Sequence, residues 1–165
     1  QNPGALGNAW FVKEVKAVQD PNQAILDIAK IDLSKQAVAD WAQDKTYQVD
    51  STSQIQLVDH APNRLVYKSN NKNDGFAVFS EIYYDKGWQA SIDGKKVDII
   101  KTNYFVRGLE IPKGQHEIEL KFDPQSVKTG SLITLSSNII FILLLIGGVY
   151  WMWKNKDENQ FGVEK

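Results

Sequence analysis

The chain has 165 residues, a formal net charge of -1, 42% hydrophobic residues and no cysteine. This length and composition predict one globular domain with a short appendage. The near-neutral charge, with Lys and Arg scattered along the chain, argues against tracking of a phosphate backbone, so we expect no nucleic acid partner. The lack of cysteine excludes disulfide frameworks, thiolate nucleophiles and the common cysteine-based zinc sites.

The N-terminal region predicts a strand followed by a short helix. Residues 8–18 are rich in β-branched and aromatic side chains, which favours a strand. Asp20 can cap the following helix, and Pro21 can occupy its first position. The chain opens at Gln1 without the pattern of a signal peptide, so we expect the natural N-terminus to lie upstream.

From residue 54 onward the chain predicts successive antiparallel strands separated by turn residues. Asp93-Gly94 predicts a tight type I′ hairpin, because both central residues of that turn need positive φ. Residues 116–122 alternate between apolar and charged, which predicts one buried and one wetted face. Residues 76–84 are apolar on both faces and should form a central strand. The predicted strands cover residues 54–59, 64–69, 75–84, 87–92, 95–100, 104–111 and 116–122.

The C-terminal region predicts one membrane-spanning helix. No charged residue occurs from Thr129 to Trp153, and residues 132–153 would form a helix about 33 Å long, enough to cross a bilayer. Tyr150, Trp151 and Trp153 precede two lysines, as an aromatic belt with basic anchors requires. The alternative is a buried helix of a soluble core, although such helices rarely run this long without charge. Lysines are balanced on the two sides of the segment, so charge does not set its orientation.

Together these elements predict a mainly β fold, an antiparallel β-sandwich with one or two short helices, followed by a single C-terminal transmembrane helix. We expect the sandwich to cover residues 1–125 and a short linker to cover residues 126–131. The span should cover residues 132–153 and a polar tail residues 154–165. Ser136, Ser137 and Asn138 lie in the less apolar half of the span, which favours packing against further helices.

Several blocks of the sequence together carry a resemblance to a known family. The blocks are Asn2-Pro-Gly-Ala-Leu-Gly-Asn-Ala-Trp-Phe-Val12, Ser80-Glu-Ile-Tyr-Tyr-Asp-Lys-Gly-Trp88, Ile92-Asp-Gly-Lys95, Asn103-Tyr104, Arg107-Gly108 and Ile111-Pro-Lys-Gly-Gln-His116. In this order they resemble the C-terminal end of YfhO-family bacterial membrane proteins. The resemblance covers nearly the whole chain, and the order of the blocks is more specific than any one of them.

This resemblance implies a large polytopic protein whose membrane bundle is similar to glycosyltransferases that use polyprenyl-phosphate sugars to modify cell-envelope polymers. It places the catalytic acidic residue upstream of this chain, so we expect no catalytic residue and no cofactor here. The implied partners are membrane lipid, the upstream transmembrane bundle of the same protein, and an envelope glycan or lipid-linked sugar. The implied location is the bacterial cell membrane, with the soluble domain outside the cytoplasm.

An aromatic and polar group of residues is the best candidate binding site in the soluble part. Aromatic faces stack on sugar C–H surfaces, and Arg with Asn can hydrogen-bond hydroxyls or a phosphate. The alternative is structural, with Tyr84 and Trp88 in the core and Tyr104 and Arg107 closing a turn. The candidate residues are Tyr83, Tyr84, Trp88, Asn103, Tyr104 and Arg107.

Other chemistry is weakly supported by the sequence. His60 and His116 lack metal-ligand spacing, so we expect no metal site, and His116 is expected to order a turn. Carboxylates near turns, such as Glu81 and Asp85, are interpreted as ordinary solvated residues. Trp10 is assigned to the core. Three hypotheses follow: a non-catalytic accessory domain that holds a glycan, a purely structural or protein-interaction module, and a domain that supplies Arg107 to a sugar-transfer site.

Overall fold

The computed structural model describes the backbone of residues 5–160 and the side chains of residues 5–127 and 129–155. The chain divides into two compact units, Gln1–Asp123 and Pro124–Lys165. The first unit is the sheet domain, with its strands in two sheets. The elements in chain order are β1 (Ala9–Val12), β2 (Glu14–Ala17), α1 (Pro21–Ile28), β3 (Gln36–Ala39), β4 (Lys45–Thr46), β5 (Gln54–Ala61), β6 (Arg64–Asn71), β7 (Gly75–Ile82), β8 (Trp88–Ile92), β9 (Lys95–Val97), β10 (Ile100–Thr102), β11 (Val106–Ile111), β12 (Gly114–Phe122) and α2 (Gln125–Gln160).

The mainly β fold predicted from the sequence is confirmed. One sheet has seven strands in the order β1-β7-β11-β10-β3-β2-β4, and the other has five in the order β5-β6-β12-β8-β9. Neighbours pair antiparallel except β2 and β3, which are parallel. A parallel pair needs a crossover connection, and the segment that contains α1 provides it.

The predicted hairpin and helix cap are also confirmed. Asp93 and Gly94 have φ of 50° and 77°, and Ile92 pairs with Lys95 across the turn. The carboxylate of Asp20 accepts a hydrogen bond from the Asn22 backbone N–H at 2.9 Å, and Pro21 opens α1. Both elements depend on local chemistry, which explains why the sequence alone reveals them.

Two predicted strands are each divided in the structure. Residues 8–18 form β1 and β2, because the backbone at Lys13 leaves the β1 ladder and donates to the carbonyl of Lys35 at 2.7 Å. Residues 95–100 divide between β9, in the five-stranded sheet, and β10, in the seven-stranded sheet. The predicted strand 104–111 starts only at Val106, because Asn103 and Tyr104 have positive φ. The short strands β3 and β4 were not predicted.

Two apolar clusters explain the strand patterns. The larger cluster fills the space between the sheets and includes Tyr67, Phe79, Leu109 and Leu120. The smaller one covers the other face of the seven-stranded sheet, where Trp10, Trp41 and Tyr47 are among the side chains that pack against Phe76 and its buried neighbours. Strand β7, buried on both faces over Gly75–Phe79, lies between β1 and β11, as its continuous apolar pattern predicts. Trp10 therefore packs against the core.

His116, in β12, forms a hydrogen bond with Asp93 in the turn of the β8–β9 hairpin. Its Nδ1 lies 2.6 Å from Asp93 Oδ2, and its Nε2 lies 3.1 Å from the Lys113 carbonyl oxygen. Both partners are acceptors, so both ring nitrogens donate only in the protonated imidazole. The hydrogen bond to Asp93 is the largest cause that raises the pKa of His116 above its usual value, and the same bond lowers the pKa of Asp93.

The His116–Asp93 pair should make the stability of the sheet domain pH-dependent. The raised pKa of His116 gives a contribution to folding stability that is fully present below about pH 6.5 and is lost as pH rises through the folded-state pKa. The lowered pKa of Asp93 gives a second contribution to folding stability, which is lost in acid, below about pH 4. Replacing His116 with Gln should therefore reduce the free energy of unfolding more at about pH 5.5 than at about pH 8.5. Urea unfolding of the detergent-solubilised chain at both pH values measures this. An equal loss at the two pH values would contradict it.

The helix α2 runs from Gln125 to Gln160, and its segment Gln125–Asn155 is long and apolar enough to cross a membrane, with a mean hydropathy of 2.3 in its most apolar window. Residues 126–131, predicted to be a linker, form its first turns instead. Pro124 stands just before the helix, where its missing N–H removes no helical hydrogen bond, and the Thr129 hydroxyl donates to the Gln125 carbonyl at 3.1 Å. Of the predicted polar tail, residues 161–165 lie outside the described residues.

The hydroxyls in the less apolar half of α2 are satisfied within the helix. Ser136 donates to the Leu132 carbonyl at 2.8 Å, and Ser137 donates to the Ile133 carbonyl at 2.9 Å. Such bonds to the preceding turn allow a serine to lie in an apolar environment without a partner from another helix. The packing of this half against further helices therefore stays a prediction.

Candidate functional site

One end of the space between the two sheets is lined by aromatic and charged side chains. Four strand ends meet there: the ends of β7 and β12 and the starts of β8 and β11. Trp88 and Phe122 are directly paired across β8 and β12, with ring centroids 5.5 Å apart. Tyr84 extends this group, its ring lying 6.5 Å from that of Phe122. Tyr84 is exposed whereas Trp88 is half-buried, so the aromatic group has an outer rim and an inner part.

Arg107 lies beneath this aromatic group and is almost fully buried, at 3% exposure. The pairing of β11 with β7 shifts register between Val106 and Arg107, a local irregularity of the kind that redirects side chains. From Arg107 onward, alternate residues of β11 belong to the core between the sheets, as Leu109 does. The guanidinium carbon lies 4.0 Å from the centroid of the Trp88 ring, a stacked cation–π geometry.

The hydrogen bonds of Arg107 are incomplete. Its Nε donates to the Ile82 carbonyl at 3.0 Å. Its Nη1 is buried and has no hydrogen-bond partner among the described residues, and the same is true of the Tyr67 hydroxyl. Buried donors of this kind are costly unless an acceptor reaches them, and a charged donor is the most costly. Two polar groups that interact electrostatically, the Arg107 guanidinium and the Tyr67 hydroxyl, thus each have a buried atom without a partner among the described residues.

Arg107, Tyr67 and Glu81 interact electrostatically. Burial lowers the pKa of Arg107, and the negative charge of Glu81 opposes that shift. Burial, followed by the charge of Glu81, raises the pKa of Tyr67 to about 12, while Arg107 acts in the opposite direction. Tyr67 is therefore a neutral hydroxyl at physiological pH, able to donate or accept. Arg107 and Tyr67 together offer hydrogen-bond donors to an acceptor with negative charge.

Asn103 has a structural role, and its side chain hydrogen-bonds β3 rather than Arg107. It is buried, its Oδ1 accepts from the Val38 N–H at 2.9 Å, and its own N–H donates to the Val38 carbonyl at 2.6 Å. These bonds attach the turn between β10 and β11 to β3. Tyr104, in the same turn, is 42% exposed, with Lys101 Nζ 5.2 Å from its ring centroid.

The structure thus brings together part of the predicted group. Tyr84, Trp88 and Arg107 share the end of the core. The Tyr83 N–H donates to the Phe105 carbonyl at 2.7 Å, which joins the end of β7 to the turn before β11. Whether any of the six residues binds a ligand stays a prediction.

Sequence reasoning missed Tyr67 and Glu81, which interact electrostatically with Arg107, and Phe122, which packs against Trp88. Glu81 could have been noticed from the sequence, since it is a charged residue in a strand whose other residues are uncharged. Tyr67 carried little, because a tyrosine in a strand is ordinary. Their proximity depends on the pairing of distant strands, which no local pattern encodes. Among the described residues, no group of three or more His, Cys, Asp or Glu side chains could hold a metal ion.

Comparison with known proteins identifies the family. A family model described as "Bacterial membrane protein YfhO" matches residues 28–134, more than half of the chain. The chain belongs to the YfhO family. Its membership and the apolar helix α2 together support membrane association.

One relative within the YfhO family is the "Uncharacterized protein YfhO" of Bacillus subtilis (strain 168), 31% identical over 83 residues. That match covers 50% of this chain and 10% of the relative, so the chain spans about a tenth of the length of the curated protein it matches. No solved structure matches the chain.

Proposed function

We propose that this chain is a non-catalytic extracytoplasmic accessory domain with the last membrane span of a polytopic YfhO-family protein similar to polyprenyl-phosphate-sugar-dependent glycosyltransferases of the cell envelope. In this proposal the sheet domain holds an anionic sugar group of an envelope glycan or a lipid-linked sugar. The observation that carries the proposal is the buried Arg107, stacked on Trp88, whose Nη1 has no hydrogen-bond partner among the described residues. The Tyr67 hydroxyl, which also lacks a partner there, is close enough to interact electrostatically with Arg107.

The chemistry of the site suits a sugar phosphate. A guanidinium presents its donors in a planar fork that matches phosphate oxygens, and burial strengthens each hydrogen bond. The indole of Trp88 can stack on the C–H face of a sugar ring next to the phosphate. The exposed Tyr84 ring lies at the outer side of the aromatic group, next to the ring of Phe122.

A binding role is favoured over catalysis because of the carboxylates available. Hydrolysis of a glycosidic bond canonically uses two carboxyl groups that flank the bond. Glu81 is a carboxylate whose charge opposes the lowering of the Arg107 pKa. In this proposal Glu81 balances the charge of Arg107.

The binding role is tested by calorimetric titration of the full chain in detergent with glucose 1-phosphate and, separately, with glucose. Saturable binding of glucose 1-phosphate and much weaker binding of glucose would support a site built around Arg107. Absence of heat with either compound up to millimolar concentration would contradict it and favour a structural or protein-interaction module.

The extracytoplasmic location gives a second expectation, which the lack of cysteine in this chain makes simple to test. In full-length protein whose other cysteines are replaced by serine, Gln56→Cys, at an exposed position of β5, should react with a membrane-impermeant maleimide in intact cells. Lys165→Cys, which follows the proposed span in the sequence, should react only after permeabilisation. The reverse pattern would place the sheet domain in the cytoplasm.

A further inference from the structure

Four large apolar side chains are exposed together at one end of the sheet domain. They are Ile82, Tyr84, Tyr104 and Phe105, with exposed fractions of 68%, 51%, 42% and 57%, and we call them the apolar rim. Ile82 is paired with Val106 across β7 and β11, and the Tyr83 N–H donates to the Phe105 carbonyl at 2.7 Å. The rim is therefore continuous along the backbone. Exposed apolar residues that lie close together usually mark a contact surface.

We infer that the apolar rim inserts into the lipid headgroup layer of the membrane that α2 crosses. The first support is the covalent chain. The ring of Tyr84 lies 6.5 Å from that of Phe122, which ends β12, and α2 begins three residues later at Gln125. At about 3.6 Å per extended residue, the Cα atoms of Phe122 and Gln125 are at most about 11 Å apart. The chain thus leaves the sheet domain for its membrane helix beside the rim.

The second support is the composition of the rim. Tyrosine has an apolar ring and a polar hydroxyl, which fits the headgroup level where one end is apolar and the other wet. Lys101, whose Nζ lies 5.2 Å from the Tyr104 ring, adds a positive charge that suits lipid phosphates. The other exposed large apolar residues of the described sheet domain are Leu6, the adjacent pair Ile25 and Leu26 in α1, and Val58 in β5. The rim, with four such residues, is the largest group among them.

The test uses the full chain in nanodiscs of phosphatidylcholine that contain a small fraction of lipid with a gadolinium-chelating headgroup. The amides of residues 82–84 and 104–105 should lose NMR signal intensity through paramagnetic relaxation. Val58, similarly exposed at 51%, serves as the matched control and should keep its intensity. Equal intensity loss at the rim and at Val58, or no loss at the rim, would overturn the inference.

A double variant and an experiment on the full-length protein make the test more specific. Ile82→Ser with Phe105→Ser replaces exposed side chains, so the sheet domain should stay folded, and the relaxation at the rim should fall toward that at Val58. In the full-length protein, a photo-crosslinking residue in place of Phe105 should form adducts with lipid; crosslinks to upstream spans instead would overturn the inference by giving the rim a protein partner. Arg107 is untouched in both arms, so failure here is distinguishable from failure of the proposed binding role.

Discussion

Gly108→Ala is expected to reduce the free energy of unfolding of the sheet domain by about 3 kcal/mol, the upper end of the usual range for overpacking. A Cβ at position 108 would collide with Thr102 Oγ1 and with the edge of the Phe76 ring. Both side chains are fully buried, and Phe76 is held by Trp41 and Tyr47, whose rings lie 5.6 and 6.1 Å from its own. A shift of either side chain would therefore disturb its packed neighbours.

Urea unfolding of the detergent-solubilised chain measures this loss, and Gly75→Ala is the graded control. A Cβ at position 75 would lie 2.9 Å from Phe11 Cδ1, a milder collision that involves a single ring. We therefore expect a smaller loss for Gly75→Ala than for Gly108→Ala. Identical urea midpoints for Gly108→Ala and the parent chain would show that the packing around β11 is not as the structure has it.

Arg107→Met should weaken the binding of glucose 1-phosphate by about 10- to 100-fold. Loss of hydrogen bonds to a charged group costs about 1.5–3 kcal/mol, and each 1.4 kcal/mol is tenfold in affinity. Methionine keeps an unbranched, flexible apolar side chain, shorter than that of arginine, and removes every donor. Arg107→Lys should retain part of the affinity, since it keeps the charge but loses the planar fork. Calorimetric titration of each variant gives the comparison.

The same Arg107→Met variant should be as stable as the parent chain or more stable. Its buried guanidinium has a donor without a partner, and replacing a poorly paired buried charge with an apolar side chain is often neutral or stabilising. Gln115→Ala, on the exposed face of β12, is the control and should change neither affinity nor stability. Equal affinity in Arg107→Met and the parent would remove Arg107 from the site. A large loss of stability would mean that Arg107 is a core residue instead.

The elements that sequence predicted well are those governed by neighbouring residues. The Asp93-Gly94 turn requires two positive φ angles, the Asp20-Pro21 start of α1 requires a cap, and β12 shows its two faces by simple alternation. The existence and pairing of short strands, in contrast, depend on residues that are distant in sequence. Strand β4 has two residues, and its existence depends on the β2 edge that it joins. A strand of two residues is too short to show a sequence pattern that predicts such a pairing.

The candidate site was predicted only in part for a related reason. Tyr84, Trp88 and Arg107 stand out as residue types, and the structure does gather them. Asn103 also stands out, yet its polar atoms serve the fold by joining a strained turn to β3. The sequence does not distinguish a polar side chain that hydrogen-bonds the backbone from one that is available to bind a ligand. Tertiary pairing decides between them, and β11 reaches Trp88 only across the space between the sheets.

The most direct test is to follow the indole NMR signals of Trp10, Trp41 and Trp88 while glucose 1-phosphate is added to the chain in detergent. Trp10 and Trp41 pack on the far face of the seven-stranded sheet, whereas Trp88 stacks on Arg107. We predict a saturable shift of the Trp88 signal, with those of Trp10 and Trp41 unmoved. An unmoved Trp88 signal at millimolar ligand would contradict a sugar phosphate site at Arg107.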